Sequence, residues 1–335
     1  MDAGIRTSIV CCSSHGKDWR WVEPLLSDLA HFTFVSCPNS LRFRIFNVSC
    51  FIGSLKAVML ARKTGASVLL THEPTLAFWC ASLSFLFRMK IVLFAHAFNF
   101  TTLPGPFKRY IFSLAFRRVE QFAVFSEMER DLYSKAFQID RGRFDFVHWG
   151  VNSPSVTNAN TPIIAGKYIS AIGGNSRDYR TFASAARALP GTKFALVARP
   201  ENLLNIDIPA NVEVHTNIPF GQAMNIMAFS QATVIPLDRT DAPCGHVTIV
   251  AGMYLGIPVI ASHSAGIEDY ILNGKTGILI EPKSASSLVD AILLLEANNS
   301  LRQHIVRSSK EFVEQYCSER NIANHFRRWL SSFSD

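Results

Sequence analysis

"CGHVTIVAGMYLGIPVIASHSAGIEDYILNGKTGILIEP", residues 244–282, decides how the chain is read. A polar turn at Cys244-Gly245-His246 leads into a run with helical spacing over 247–255. Gly256 stops that helix, and 258–261 reads as a buried strand. A short helix over 267–272 and a strand over 277–280 are expected next. Strand, loop, helix, glycine and strand in this order make a βαβ unit. The first turn of such a helix has backbone N–H groups without intrahelical acceptors and roughly half a positive charge, so it receives anions. Thr248, in that first turn, adds a hydroxyl.

Working outward, the same alternation fills the chain. Before 150, strands are expected at 7–12, 32–36, 66–71, 90–95, 121–125 and 144–148. Helices are expected at 19–30, 51–63, from Pro74, at 106–118 and at 127–136. Residues 153–166 are rich in Pro, Asn, Ser and Thr, lack periodicity and read as a linker. The pattern then restarts, with strands at 167–172, 193–197, 212–215 and 232–236, helices at 180–188, 220–229 and 285–297, and helical pieces over 301–333. Two βα series predict an α/β protein of two doubly wound, Rossmann-like parallel-sheet domains, with ligands at the carboxyl ends of the strands and a cleft between the domains. The expected boundaries are 1–155 and 160–315, with a helix at 316–335 packing back toward the first domain.

The bulk numbers fit that plan. A chain of 335 residues has the length of about two domains. With 48% hydrophobic and 18% charged residues it can build cores and is not disordered. Its 7 cysteines show no CxxC pairing, which speaks against a zinc site or a disulfide scaffold. The start does not read as a signal peptide. The longest apolar segment, 76–87, falls below the ~18 residues that span a bilayer. The net charge of +7 is one-sided: residues 1–150 hold 18 Lys and Arg against 11 Asp and Glu, while the remainder is neutral. The first half is therefore expected to face something anionic, or simply to be a basic surface. Within it, "LPGPFKRYIFSLAFRRVEQF" mixes Phe107, Tyr110, Phe112 and Phe116 with Lys108, Arg109, Arg117 and Arg118. It reads either as a helix lying on a membrane surface or as an ordinary amphipathic helix packed on the sheet. "IGGN", 172–175, lacks the full GxGxxG and the acidic residue of a dinucleotide fingerprint.

Residues 244–282, followed by the helix "SASSLVDAILLLEANNSLRQHIVRSSKEFV", resemble in order and spacing the donor-binding half of GT-B glycosyltransferases of the family 4 type, glycosyl transferases group 1. The likeness covers residues 167–335 well and the first half more loosely. It implies a nucleotide-sugar held mainly by the second domain, an acceptor on the first, and transfer with retention. Of the two Glu that the family carries eight positions apart, one falls on Pro243 and the other on Ala251, so both are absent. Asp238 or Asp241 is expected to approach the sugar instead. The backbone of Gly245, His246 and Val247, with Thr248, is expected to meet the donor. Gly173, in the first loop of that domain, is also expected among the donor-binding residues. Arg177 matches the family's basic residue for the donor diphosphate, a guanidinium being suited to phosphate oxygens. A second basic position is Gly174 here, and Arg180 either compensates or is solvated.

In the first domain the resemblance makes His96 the catalytic residue, facing the donor sugar and phosphate across the cleft. Ser14, His15, Asn99 and Ser126 are the expected cleft and acceptor-side residues, beside Phe98, Phe100 and Glu127. No metal and no cofactor beyond the nucleotide-sugar substrate are expected, and no nucleic acid. The acceptor would be a glycan or a lipid-linked molecule in polysaccharide or glycoconjugate synthesis. The location would be cytoplasmic or peripheral on the inner face of a membrane. Two other readings stay open at this point: a non-catalytic relative that binds a nucleotide or glycan, and an unrelated protein of two Rossmann-like domains such as an oxidoreductase or epimerase.

Overall fold

The computed structural model describes residues 7–14, 19–37, 48–239, 241 and 244–332. It divides into two compact units, Met1–His148 with Glu319–Asp335, and Trp149–Ser318.

In unit 1, β1 (Thr7–Ser13), α1 (Val22–Leu26), β2 (Ala30–Ser36), α2 (Val48–Thr64), β3 (Val68–His72), α3 (Pro74–Leu86), β4 (Val92–His96), α4 (Pro106–Phe116), β5 (Gln121–Val124), α5 (Glu127–Phe137) and β6 (Phe144–Phe146) alternate. The strands form one parallel sheet in the order β2-β1-β3-β4-β5-β6. β3 is buried along its whole length, as a strand covered on both faces must be. The helix expected over 19–30 is replaced by five-residue α1 and the start of β2. Thr7 pairs with Ala30 and Ile9 with Phe32, so the sheet captures Ala30–Ser36 and leaves the helix only one turn.

Unit 2 repeats the scheme with β7 (Ile169–Ile172), α6 (Tyr179–Ala188), β8 (Phe194–Ala198), β9 (Val212–Thr216), α7 (Phe220–Ala228), β10 (Ala232–Ile235), α8 (His246–Tyr254), β11 (Val259–Ser262), β12 (Ile278–Ile280), α9 (Ala285–Ala297) and α10 (Asn299–Tyr316). Its parallel sheet runs β12-β11-β10-β7-β8-β9. The helix expected over 267–272 is a series of tight turns. Left-handed Gly266 and Gly274 bracket it, and Thr276 Oγ1 accepts from Leu272 N–H at 2.9 Å, ending the segment before a helix can propagate.

The last helix, α11 (Glu319–Ser331), belongs to unit 1, where Ile322, Phe326, Trp329 and Leu330 pack with Trp19, Val22 and Leu26. Residues 149–166 belong to unit 2. The stretch 153–166 has no regular structure but is pinned by buried Asn225 of α7. Asn225 Oδ1 accepts from Ile163 N–H at 3.0 Å, and its Nδ2 reaches the carbonyls of Thr157, Asn158 and Thr161 at 2.9–3.1 Å. A composition typical of a linker is thus held by one amide that satisfies otherwise orphaned backbone groups.

A buried carboxyl closes the start of α5. Ser126 is its N-cap, accepting from Glu129 N–H at 3.2 Å. Glu129 Oε2 accepts from Phe125 N–H, and Oε1 from the Tyr133 hydroxyl, both at 2.9 Å. Burial pushes this carboxyl up to about 7 from 4.5, against the opposing pull of those hydrogen bonds. The folded state therefore binds the proton more tightly than the unfolded chain. That preference stabilises the fold fully below pH 4.5 and is lost as pH rises through 7. Glu129→Gln removes the titration, so the stability of the wild type relative to the variant is expected to fall between those pH values. Urea midpoints across that range check it; a constant difference would contradict it.

Candidate functional site

The strand order of unit 2 reverses at one place. From β7 the chain moves outward through β8 and β9, then returns to add β10 on the other side of β7. The loops after β7 and β10 start at this switch point, where doubly wound parallel sheets have their ligand crevice, at the carboxyl ends of the strands. The two loops are also stitched together. Arg177 and Leu237 form an antiparallel bridge, Asp178 N–H donates to Pro236 O at 2.8 Å, and Asp238 N–H donates to Ser176 O at 3.1 Å.

Gly173 follows β7 with φ +144°, and its carbonyl accepts from the Tyr179 hydroxyl at 2.5 Å. A methyl group on Gly173 would lie 2.6–2.8 Å from three atoms of the Arg177 guanidinium, so the arginine lies flat on a backbone that only glycine leaves bare. Arg177 then donates to Asn175 O at 2.7 Å and to Thr248 Oγ1 at 3.1 Å. Gly245, with φ +86°, caps α8, and a Cβ there would stand 3.0 Å from the Ile235 methyl. Its carbonyl accepts from Thr248 and Ile249 N–H at 2.9 Å, which sets the first turn of the helix. The structure thus gathers Gly173, Arg177, Gly245 and Thr248 at one edge, with Val247 exposed beside them.

His246 contributes differently from a cationic ligand. Its ring stacks on Tyr270 and tilts against Trp149, both at 5.7 Å. Burial, and then the Arg177 charge, lower its pKa to about 4. The imidazole is neutral near pH 7, and what it offers an anion is its place in the first turn of α8. Asp241 is exposed and pairs with Arg239 at 3.0 Å, and this bond holds its carboxyl below the usual range. Asp238, also exposed, has Lys283 at 3.8 Å. Ala251 is buried among Met227, Ile257 and Tyr168 on the inner side of α8, where an apolar residue is at home. Pro243 lies outside the described residues.

In unit 1, His96 ends β4 opposite His72 of β3. It is 2% exposed, with Trp19 at 4.8 Å, Phe326 at 5.3 Å and Phe125 at 5.8 Å between ring centres. Burial, followed by His72 and His325, holds it well below the usual histidine range, so it is neutral. Its Nδ1 has no hydrogen-bond partner among the described residues. An open, cleft-facing side chain is therefore corrected to a capped one: α11 and Trp19 supply an aromatic cover that spacing along β4 could not reveal. The next residue, Ala97, takes φ +51°, a strained conformation for a residue with a Cβ. Ser126 is likewise corrected from a cleft residue to the buried N-cap described above, its hydroxyl engaged by Glu129. Asn99 is exposed and Ser14 half-buried at the turn after β1, whereas His15 lies outside the described residues.

Each unit carries one further surface feature. Phe85 and Leu86 of α3 and Phe107, Tyr110 and Leu114 of α4 are exposed, Phe107 to 78%. Arg118 stands 4.0 Å above the Phe85 ring, and Lys108 5.2 Å from that of Phe112. In unit 2 a groove of about 630 Å³ between Gly256-Ile257-Pro258 and the Arg302–Glu314 part of α10 lies at the opposite, amino end of the strands. It contains none of the residues gathered around Arg177. Among the described residues no cluster of His, Cys, Asp and Glu is arranged to hold a metal ion, and no helix is long and apolar enough to cross a membrane.

Comparison with known proteins bears on the fold and on the family. Residues 198–312 match the family model of glycosyl transferases group 1. A lipopolysaccharide 1,2-N-acetylglucosaminetransferase of Salmonella typhimurium is 29% identical over 115 residues, 34% of this chain and 29% of that protein. An uncharacterized glycosyltransferase of Methanocaldococcus jannaschii is 27% identical over 127 residues, 38% of this chain and 35% of that protein. The alignments thus span well under two thirds of these relatives. Among solved structures, a glycosyltransferase of Rickettsia africae superposes with a TM-score of 0.75 at 14% identity, covering 98% of both chains. The Anabaena HepE protein in complex with UDP-glucose gives 0.72 at 14% identity, covering 97% of this chain and 99% of its own. The chain has the GT-B fold, and over residues 198–312 it is similar to the glycosyl transferases group 1 family.

Proposed function

We propose that this protein is a glycosyltransferase that binds a nucleotide-diphospho-sugar at the β7–β10 crevice and transfers the sugar, with retention, to a glycan or lipid-linked acceptor. The observation that carries the reading is Arg177: a guanidinium without a carboxylate partner among the described residues, laid on Gly173, bonded to Thr248 and set beside the first turn of α8. Its support is the family match over the same unit, and that HepE, of like fold, was solved with UDP-glucose.

The chemistry follows from the leaving group. Breaking the bond between sugar and diphosphate develops negative charge on the phosphate oxygen. Fixed positive partners lower that barrier more than a strong acid would. Arg177, the Thr248 hydroxyl and the α8 dipole are such partners, and Arg177 is already oriented before the ligand arrives. The acceptor hydroxyl attacks from the leaving-group face, and the phosphate takes its proton, so no protein nucleophile is required. The donor half of the proposal stands on unit 2 alone.

A second reading, a protein that binds the nucleotide-sugar without turnover, draws on Ala251 in the core and on Asp238 and Asp241 facing neighbouring cations. Thermal shift with UDP-, GDP- and ADP-sugars addresses both, because a ligand of the native state raises stability with its affinity. One nucleotide is expected to raise the Tm, and Arg177→Ala to weaken its binding at least tenfold, about 1.4 kcal/mol. No shift with any of them, or an unchanged affinity in Arg177→Ala, would overturn the site. Binding without sugar release across an acceptor panel would favour the second reading.

The acceptor side of the proposal includes an anionic membrane surface. The exposed Phe85, Leu86, Phe107 and Tyr110 form its apolar part, with Lys108, Arg117 and Arg118 around them. Co-sedimentation with vesicles of phosphatidylcholine and phosphatidylglycerol is expected to exceed that with phosphatidylcholine alone. It should fall at high salt and in Phe107→Ser; equal binding to both vesicles would contradict the surface.

A further inference from the structure

Residue 174 follows Gly173 in the loop after β7 and is also a glycine. The space its side chain would take is occupied. A Cβ on Gly174 would lie 2.6 Å from Arg199 Nε and 3.0 Å from Arg199 Cγ and Cδ. Arg199 enters from the turn after β8, the strand that neighbours β7, and its stem lies across the bare backbone of Gly174 as Arg177 lies across Gly173. Consecutive Cα atoms are only ~3.8 Å apart. One turn at the carboxyl edge therefore carries two arginines on two adjacent glycines.

The turn that supplies Arg199 is fixed. Asn202 Oδ1 accepts from the Arg199 backbone N–H at 3.3 Å, while Asn202 Nδ2 donates to Gly174 O at 3.1 Å. That amide ties the β8 turn to the loop that Arg199 covers. Charge completes the picture. Arg130, Arg141, Arg187, Arg239 and Arg327 each pair with a carboxylate at 3.2 Å or less. Arg177 and Arg199 pair with none among the described residues, and Arg177 Nε is buried without a hydrogen-bond partner. Two like charges brought to one turn without a counter-ion repel each other, and the arrangement is favourable when an anion with several oxygens lies between them.

We propose that Arg199 is a second cation of the donor site, binding the diphosphate of the nucleotide together with Arg177, in the space that the missing side chain of Gly174 leaves open. The proposal rests on the donor-site reading above and deepens it. It assigns the task to Arg199, whose stem lies against Gly174, rather than to Arg180 in the first turn of α6.

Calorimetry on the full chain with UDP, GDP and ADP and their unphosphorylated nucleosides tests it. At least one diphosphate is expected to bind the wild type. Arg199→Ala should weaken that diphosphate at least tenfold while changing the matching nucleoside less than twofold. Gly174→Arg placed in the Arg199→Ala background, where the clash with the Arg199 stem is gone, should regain at least threefold. Arg199→Gln gives the same reading if the alanine variant proves less stable. An unchanged diphosphate affinity, an equal loss for diphosphate and nucleoside, or no recovery with Gly174→Arg would overturn the role of Arg199 and leave the Arg177 site intact. Failure of the wild type to bind any of the three diphosphates would overturn both.

Discussion

The proposed donor site depends on the stitch between the loops after β7 and β10. Where the strand order reverses, two chain segments leave the sheet and would otherwise diverge. The bridge between Arg177 and Leu237 and the flanking bonds Asp178–Pro236 and Asp238–Ser176 hold them in register. Backbone hydrogen bonds thus fix the base of the Arg177 side chain, and Gly173 and Thr248 fix its guanidinium. An arginine ordered in advance loses little conformational freedom when a phosphate arrives, which is how preorganisation becomes affinity.

The electrostatics of the crevice follow from what has been left out of it. His246, the side chain nearest in sequence to the cap of α8, is kept neutral by burial against Tyr270 and Trp149 and by the adjacent Arg177 charge. The acids after β10 are turned toward Arg239 and Lys283, in exposed pairs that contribute little to stability. Ala251 carries the inner side of α8 into the apolar core. What remains is a positive edge built from guanidinium and backbone, a character suited to a diphosphate and indifferent to the loss of two carboxylates.

Much of this was legible in the sequence, for reasons that can be named. Parallel strands buried on both faces show as short β-branched runs, and glycines with Pro258 mark where α8 ends, so both sheets and their order along the chain could be read. Gly245 and Arg177 could be singled out because their roles are local in the chain. The misreadings arose where partners are distant. The helix expected over 19–30 lost to pairing of Ala30–Ser36 with β1. His96 looked open because its cover, Phe326 and Trp19, lies 230 residues away in one case and in a short turn in the other. Ser126 looked like a cleft residue because an N-cap and a functional serine share the same position after a strand. Arg199 gave no signal, since only the packing of its stem on Gly174 distinguishes it from a solvated arginine.

The most direct measurement of the central claim is amide hydrogen exchange with and without UDP-glucose at saturating concentration. The account predicts slowed exchange in the loop 173–178 and the first turn of α8, 245–249, with the groove lined by Gly256, Arg302 and Lys310 unchanged. Protection confined to that groove, or none in either segment of the crevice while the ligand is bound, would contradict it.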